Sequence, residues 1–158
     1  MNESGTDRKT LLIGIGNSGR SDDALGWKFM DEFGEYDHLF DFEYRYQLQI
    51  EDAELVSRYQ KVIFVDASYM FLDNGFSFER CTPAPLTSFT SHELSPECIM
   101  WLARDLYDAS PEAFVLAIRG TEWGLHLGLS PDAHENFSRA AEFFRDYLLT
   151  PAIPGEAH

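Results

Sequence analysis

The sequence predicts an α/β fold: a three-layer α/β/α sandwich on a mostly parallel sheet of about five strands. Three observations carry that expectation. Leu11–Ile15, Lys61–Ala67 and Ala113–Ile118 are short apolar runs of the kind buried on both faces of a sheet. Stretches with helical spacing alternate with them. A turn with glycines at 14, 16 and 19 joins the first run to the first helical stretch.

Taken in order, Met1–Lys9 is polar and reads as a frayed tail without the apolar core of a signal peptide. After the first strand, Ser21 is a candidate N-cap, and Asp22–Phe33 reads as a helix with Leu25, Phe29 and Phe33 facing the sheet. Gly34 can end it. Asp41–Ile50 alternates apolar with polar side chains, as a strand with one covered face does. Glu51–Tyr59 is a short helix, and Lys61–Ala67 is the second buried strand, ending at Asp66. Asp73-Asn74-Gly75 marks a turn before a short strand, Phe76–Cys81. Thr82–Ser91, with two prolines, is a loop. Ser95–Tyr107 and Ser130–Leu149 are helices opening on Ser-Pro, a proline being tolerated at the first helical position. Between them lie the third buried strand and a glycine-bearing loop, Gly120–Leu129; Pro151–His158 is a tail. The 158 residues suit one domain spanning 10–150.

Composition narrows the function. With 27 acidic and 12 basic side chains the net charge is −15, a surface that repels nucleic acid and anionic membrane. No apolar run approaches the length of a bilayer span. Cys81 and Cys98 make neither a CxxC pair nor a disulfide framework, which points to a reducing, cytoplasmic setting. A monomer is the default expectation.

Gly14-Ile15-Gly16-Asn17-Ser18-Gly19 matches the GxGxxG dinucleotide fingerprint literally. A pyrophosphate would sit at the helix N-terminus, in the field where Asp22 and Asp23 lie, and they would repel it. These acids either cap the helix dipole, or one caps and the other points outward as a metal ligand. In open α/β sheets ligands bind beyond the carboxyl ends of the strands. Asp23 follows the first strand, Asp66 closes the KVIFVDA strand, and His92 lies in the loop after FSFERC. The three can converge on one crevice. Each has a plainer role open to it: Asp66 as an acceptor for loop amides, His92 as a helix-capping or solvent histidine. An O, O, N set without a thiolate suits nickel, zinc, manganese or iron and leaves positions open. The absent thiolate points to modest affinity, so that the metal arrives with a partner.

Other constellations score poorly. Ser21, Ser68 and Ser91 lack a GxSxG elbow. His126 is expected to pack among Leu125, Leu127 and Leu129 against the last helix, although Trp123 and His126 can also line a substrate groove.

These motifs resemble a known family. GIGNSGRSDDALG is similar to the opening of the hydrogenase maturation proteases, the endopeptidases that process [NiFe]-hydrogenase large subunits. VIFVDA resembles that family's strand ending in Asp-Ala, SHELSP its His-bearing loop before a helix, and GLHLGLSP the segment before its final helix. The resemblance runs in order from Leu11 to Leu149. It implies an α/β/α sandwich with metal-binding, catalytic Asp23, Asp66 and His92. It also implies removal of a C-terminal extension from the large-subunit precursor after nickel insertion, with the substrate's nickel as the recognition element. Where most members carry a Gly-Gly-Thr type segment, this chain has Tyr46-Gln47-Leu48-Gln49. Its Gln-Leu resembles the branch serving bidirectional, NAD(P)-linked hydrogenases, with Tyr46 in place of that branch's His, and Gln47 joins the candidate substrate groove. Ala24 stands where many members have Gly. Two other readings stand beside this one: a non-catalytic checkpoint that binds the nickel-loaded large subunit, and a nucleotide-binding α/β module.

Overall fold

The computed structural model describes residues 9–85 and 94–150. Its strands are β1 (Thr10–Ile15), β2 (Phe40–Arg45), β3 (Lys61–Ser68), β4 (Phe76–Arg80) and β5 (Glu112–Arg119). Its helices are α1 (Leu25–Glu32), α2 (Asp52–Val56), α3 (Pro96–Tyr107) and α4 (Pro131–Leu149). The five strands form one sheet in the order β2-β1-β3-β5-β4. All neighbours are parallel except β4, which runs antiparallel to β5 at the edge. The expected mostly parallel sheet is therefore present.

Strand periodicity builds the layers. Successive side chains on a strand point to opposite faces. On β1 and β3, Leu12, Ile63 and Val65 face α1 and α4, where they meet Leu25, Phe29, Met30, Phe33, Ala140 and Phe144. Leu11, Ile13, Val62 and Phe64 face the other way, onto Val56 of α2 and Ile99, Met100 and Ala103 of α3. Apolar runs buried on both faces thus produce the sandwich. No helix among the described residues is long and apolar enough to cross a membrane.

Both Ser-Pro starts behave as expected. The Ser95 hydroxyl accepts from Cys98 N at 3.1 Å and the Ser130 hydroxyl from Ala133 N at 3.1 Å, which caps α3 and α4. Three local expectations are corrected. The first helix does not begin at Asp22; a 3₁₀ turn, Ser21–Ala24, precedes α1. Ser21 is not its N-cap, since Ser21 has φ +50°, and its buried hydroxyl has no hydrogen-bond partner among the described residues. The second strand stops at Arg45 instead of running to Ile50. There the Arg45 side chain turns onto Asp52 (3.0 Å) and Glu43 (2.9 Å), and Leu48, still buried, bridges to Leu94.

Close approach of α1 to the sheet depends on Gly26. A Cβ there would lie 2.4 Å from Ile15 O and 2.7 Å from Val65 O, both backbone atoms that have nowhere to go. Gly26→Ala is expected to lower stability by about 2–3 kcal/mol through overpacking, read as a shift in the urea midpoint with an unchanged slope.

Candidate functional site

The site is assembled at the carboxyl ends of β1, β3 and β5. Backbone bonds close the loop after β1 on itself and tie it to the end of β2. Gly16 N donates to Arg45 O (2.9 Å), Asn17 N to Asp23 O (3.0 Å) and Asp23 N to Arg20 O (2.9 Å). Gly19 N donates to the Asn17 side-chain oxygen at 2.9 Å. A Cβ on Gly16 would come within 2.2 Å of Asp23 O, so the glycine lets the turn fold tightly around Asp23. Amides that a phosphate would need are thus spent on acceptors within the turn and in the segments beside it. This geometry speaks against the nucleotide-binding reading of GxGxxG.

The two adjacent acids have different surroundings. Asp22 is fully buried. Its Oδ2 accepts from Thr121 N (2.7 Å), Glu122 N (2.8 Å) and the Ser130 hydroxyl (2.7 Å), and its Oδ1 from Ser130 N (2.7 Å). Burial alone would raise its pKa, but the bonds from Ser130, Thr121 and Glu122 outweigh it and hold the carboxyl below its ordinary value. Asp22 is therefore a structural anchor and does not cap α1. It ties the post-β1 turn to the post-β5 loop and to the start of α4. Asp23, half-buried, sits on the turn that this anchor fixes.

Asp66 is also half-buried, near the end of β3, paired in register with Ala117 of β5. Its Oδ1 accepts from the amide of the next strand residue, Ala67 N, at 2.8 Å. Because β1 and β3 are neighbours, with Gly14 opposite Val65, the Asp23 turn and the Asp66 strand end share one edge of the sheet. The turn carrying Asp23 packs against β3. His92 lies outside the described residues; Leu94 after it is held beside Leu48. Among the described residues, no three His, Cys, Asp or Glu side chains group closely enough to hold a metal ion.

Gln47 is exposed just beyond β2. Trp123 is half-buried against Gly120, and its carbonyl accepts from Arg20 at 3.4 Å. His126 does not pack against α4 as expected. It is exposed, as are Leu125 and Leu127. The cause is backbone anchoring: Ser21 N donates to His126 O at 2.8 Å, and Asp22 holds both ends of the loop, which leaves the Leu125, His126 and Leu127 side chains facing outward. Both thiols are free and buried. Burial, then the nearby Glu97, push the Cys81 thiol up to about 12, and burial raises Cys98. Both shifts disfavour the reactive thiolate.

No family model matches the chain, and no curated protein does. Solved structures do. The hydrogenase maturating endopeptidase HybD from E. coli is similar with a TM-score of 0.68 at 16% identity, over 90% of this chain and 93% of that one. HycI, a [NiFe] hydrogenase maturation protease from Thermococcus kodakarensis, gives 0.69 at 18% identity over the same shares. A hydrogenase 2 maturation peptidase from a Thaumarchaeota archaeon gives 0.60 at 18%, covering 89% of this chain and 98% of that one. The chain has the fold of the hydrogenase maturation proteases. At these identities the likeness is one of fold, spread over nearly the whole of each chain. Within the maturation-protease fold, the edge that carries Asp23 and Asp66 is where an α/β sheet places its ligands.

Proposed function

We propose that this protein is an endopeptidase that removes the C-terminal extension of a [NiFe]-hydrogenase large-subunit precursor once nickel has been inserted, acting in the cytoplasm as a monomer. The observation that carries the reading is the placement of Asp23 and Asp66, from separate segments, at one carboxyl edge of a sheet with the maturation-protease fold. Nickel enters as part of the substrate. The donor chemistry fits that role: two carboxylates and the His92 imidazole are hard to borderline donors and leave positions for thiolates. The chain's own thiols are buried with raised pKa values, so the soft ligands belong to the substrate.

Within this reading, the ion supplies a fixed positive charge at the cleavage end of the precursor. Asp23 and Asp66 bring two negative charges to meet it, and His92 adds a neutral nitrogen. The Asn17–Asp23 clasp fixes the first carboxylate and the β3–β5 ladder the second, so that peptide next to the ion is oriented against a rigid edge. Gln47, Trp123 and His126 line the approach.

Incubating the protein with nickel-loaded precursor is expected to shorten the large subunit by one C-terminal peptide, detected by mass spectrometry. Nickel-free precursor stays uncut. Binding of the loaded precursor without any shortening establishes the checkpoint reading in place of this one.

A further inference from the structure

Large apolar side chains exposed by more than 60% are few among the described residues. Tyr46, Tyr69, Met70, Phe71, Leu125 and Leu127 lie between 63% and 82% exposed, and beyond these six there is only Leu149 at the end of α4. All six stand on loops that leave the carboxyl ends of parallel strands: Tyr46 after β2, Tyr69 to Phe71 after β3, Leu125 and Leu127 after β5. Scattered exposed apolar residues are normal on a protein, but six of the seven most exposed gathered on one rim are not.

The loops are held together. Gly120 N donates to Ser68 O at 2.8 Å, and the Arg119 guanidinium lies 5.3 Å from the Phe71 ring centre, which joins the post-β3 and post-β5 segments. Ser21 N on His126 O links the post-β5 loop to the post-β1 turn. The Tyr46 ring packs 5.1 Å from Trp27 of α1, at the far side. From β2 to β5 the rim spans three strand spacings, about 14 Å. Six large side chains over that width fit the apolar centre of a polypeptide interface, not a small molecule.

Charge defines the partner further. The chain as a whole carries −15. Glu51, Asp73 and Glu122 are exposed on the same loops. Of the arginines at the rim, Arg45 is neutralised by Asp52 and Glu43, while Arg119 over Phe71 and Arg20 on the Trp123 carbonyl keep their charge within the chain's overall negative field. A complementary surface is apolar with basic side chains around it.

We propose that this rim is a docking face for a protein that presents an apolar strip bordered by lysines and arginines. Under the function proposed above, on which this inference rests, that protein is the large-subunit precursor. The face surrounds the cleavage edge, so docking delivers the precursor's end to Asp23 and Asp66.

Binding of nickel-loaded precursor is measured for the wild-type chain and for Leu125→Ser/Leu127→Ser, Tyr69→Ser/Phe71→Ser and Leu149→Ser, beside thermal unfolding of each. Each rim double variant is expected to weaken binding by at least about tenfold with an unchanged melting temperature. Leu149→Ser binds as wild type, and wild-type affinity falls as salt rises. Rim variants that bind and cut like wild type overturn the docking face and leave the protease reading intact. Precursor that binds the rim and is never cut keeps the face and removes the protease reading. Wild-type chain that binds no precursor overturns the face. So does a wild-type dimer, seen in sedimentation, that dissociates in the Leu125→Ser/Leu127→Ser variant, for then a second copy covers the rim.

Discussion

Asp66→Asn, which preserves size and removes one negative charge, is expected to slow processing of the nickel-loaded precursor by at least about 10³-fold, on the order of 4 kcal/mol in the barrier. Asp23→Asn is expected to act alike. The reason is the small number of donors. Two carboxylates and one imidazole are proposed to meet an ion already bound by the substrate, so each removal takes away a large share of the attraction. Asparagine keeps an oxygen but loses the charge, which separates electrostatics from shape. Asp66 lies on a strand paired over eight residues with β5, so the exchange leaves the fold in place. The check is a time course of precursor shortening with a thermal melt of each variant. Cleavage at the wild-type rate by either asparagine variant removes these carboxylates from the chemistry.

Asp22→Ala is expected to cost stability rather than chemistry, about 3–5 kcal/mol. It strips the partner from three backbone amides and from the Ser130 hydroxyl, all within 2.8 Å of one buried carboxylate. Because the folded-state pKa of Asp22 lies below its ordinary value, its contribution is complete above the unfolded carboxyl pKa. It fades as pH falls through the lower, folded value. The difference between wild type and Asp22→Ala in urea unfolding is therefore expected to be constant near neutrality and to shrink in acid, below the ordinary aspartate range. A gap that stays the same at low pH assigns the effect to packing alone.

Much of this architecture is legible in residue order. Runs such as Leu11–Ile15 and Lys61–Ala67 announce strands because both of their faces must be covered, and Ser-Pro announces the starts of α3 and α4 because cap and proline act locally. The edge placement of Asp23 and Asp66 follows from counting strands. What periodicity misses is set by partners far along the chain. Asp22 looks like its neighbour Asp23 until Ser130, 108 positions away, is seen to bond it. The second strand alternates correctly through Leu48, yet the ladder ends at Arg45, where an ion pair to Asp52 turns the chain. His126 sits among leucines in the sequence, but its loop is hung from its backbone, so Leu125 and Leu127 face out and only Leu129 packs on the core.

The Ser130 hydroxyl both caps α4 and grips Asp22. A chain emerging from the ribosome can lay down β1 and its turn early, but the clamp on that turn waits for the post-β5 loop and is completed only by the start of the closing helix. A product that stops short of α4 lacks two of the four bonds to Asp22, those from the Ser130 amide and hydroxyl, so the turn carrying the acids is fully fastened only in a chain that includes the closing helix.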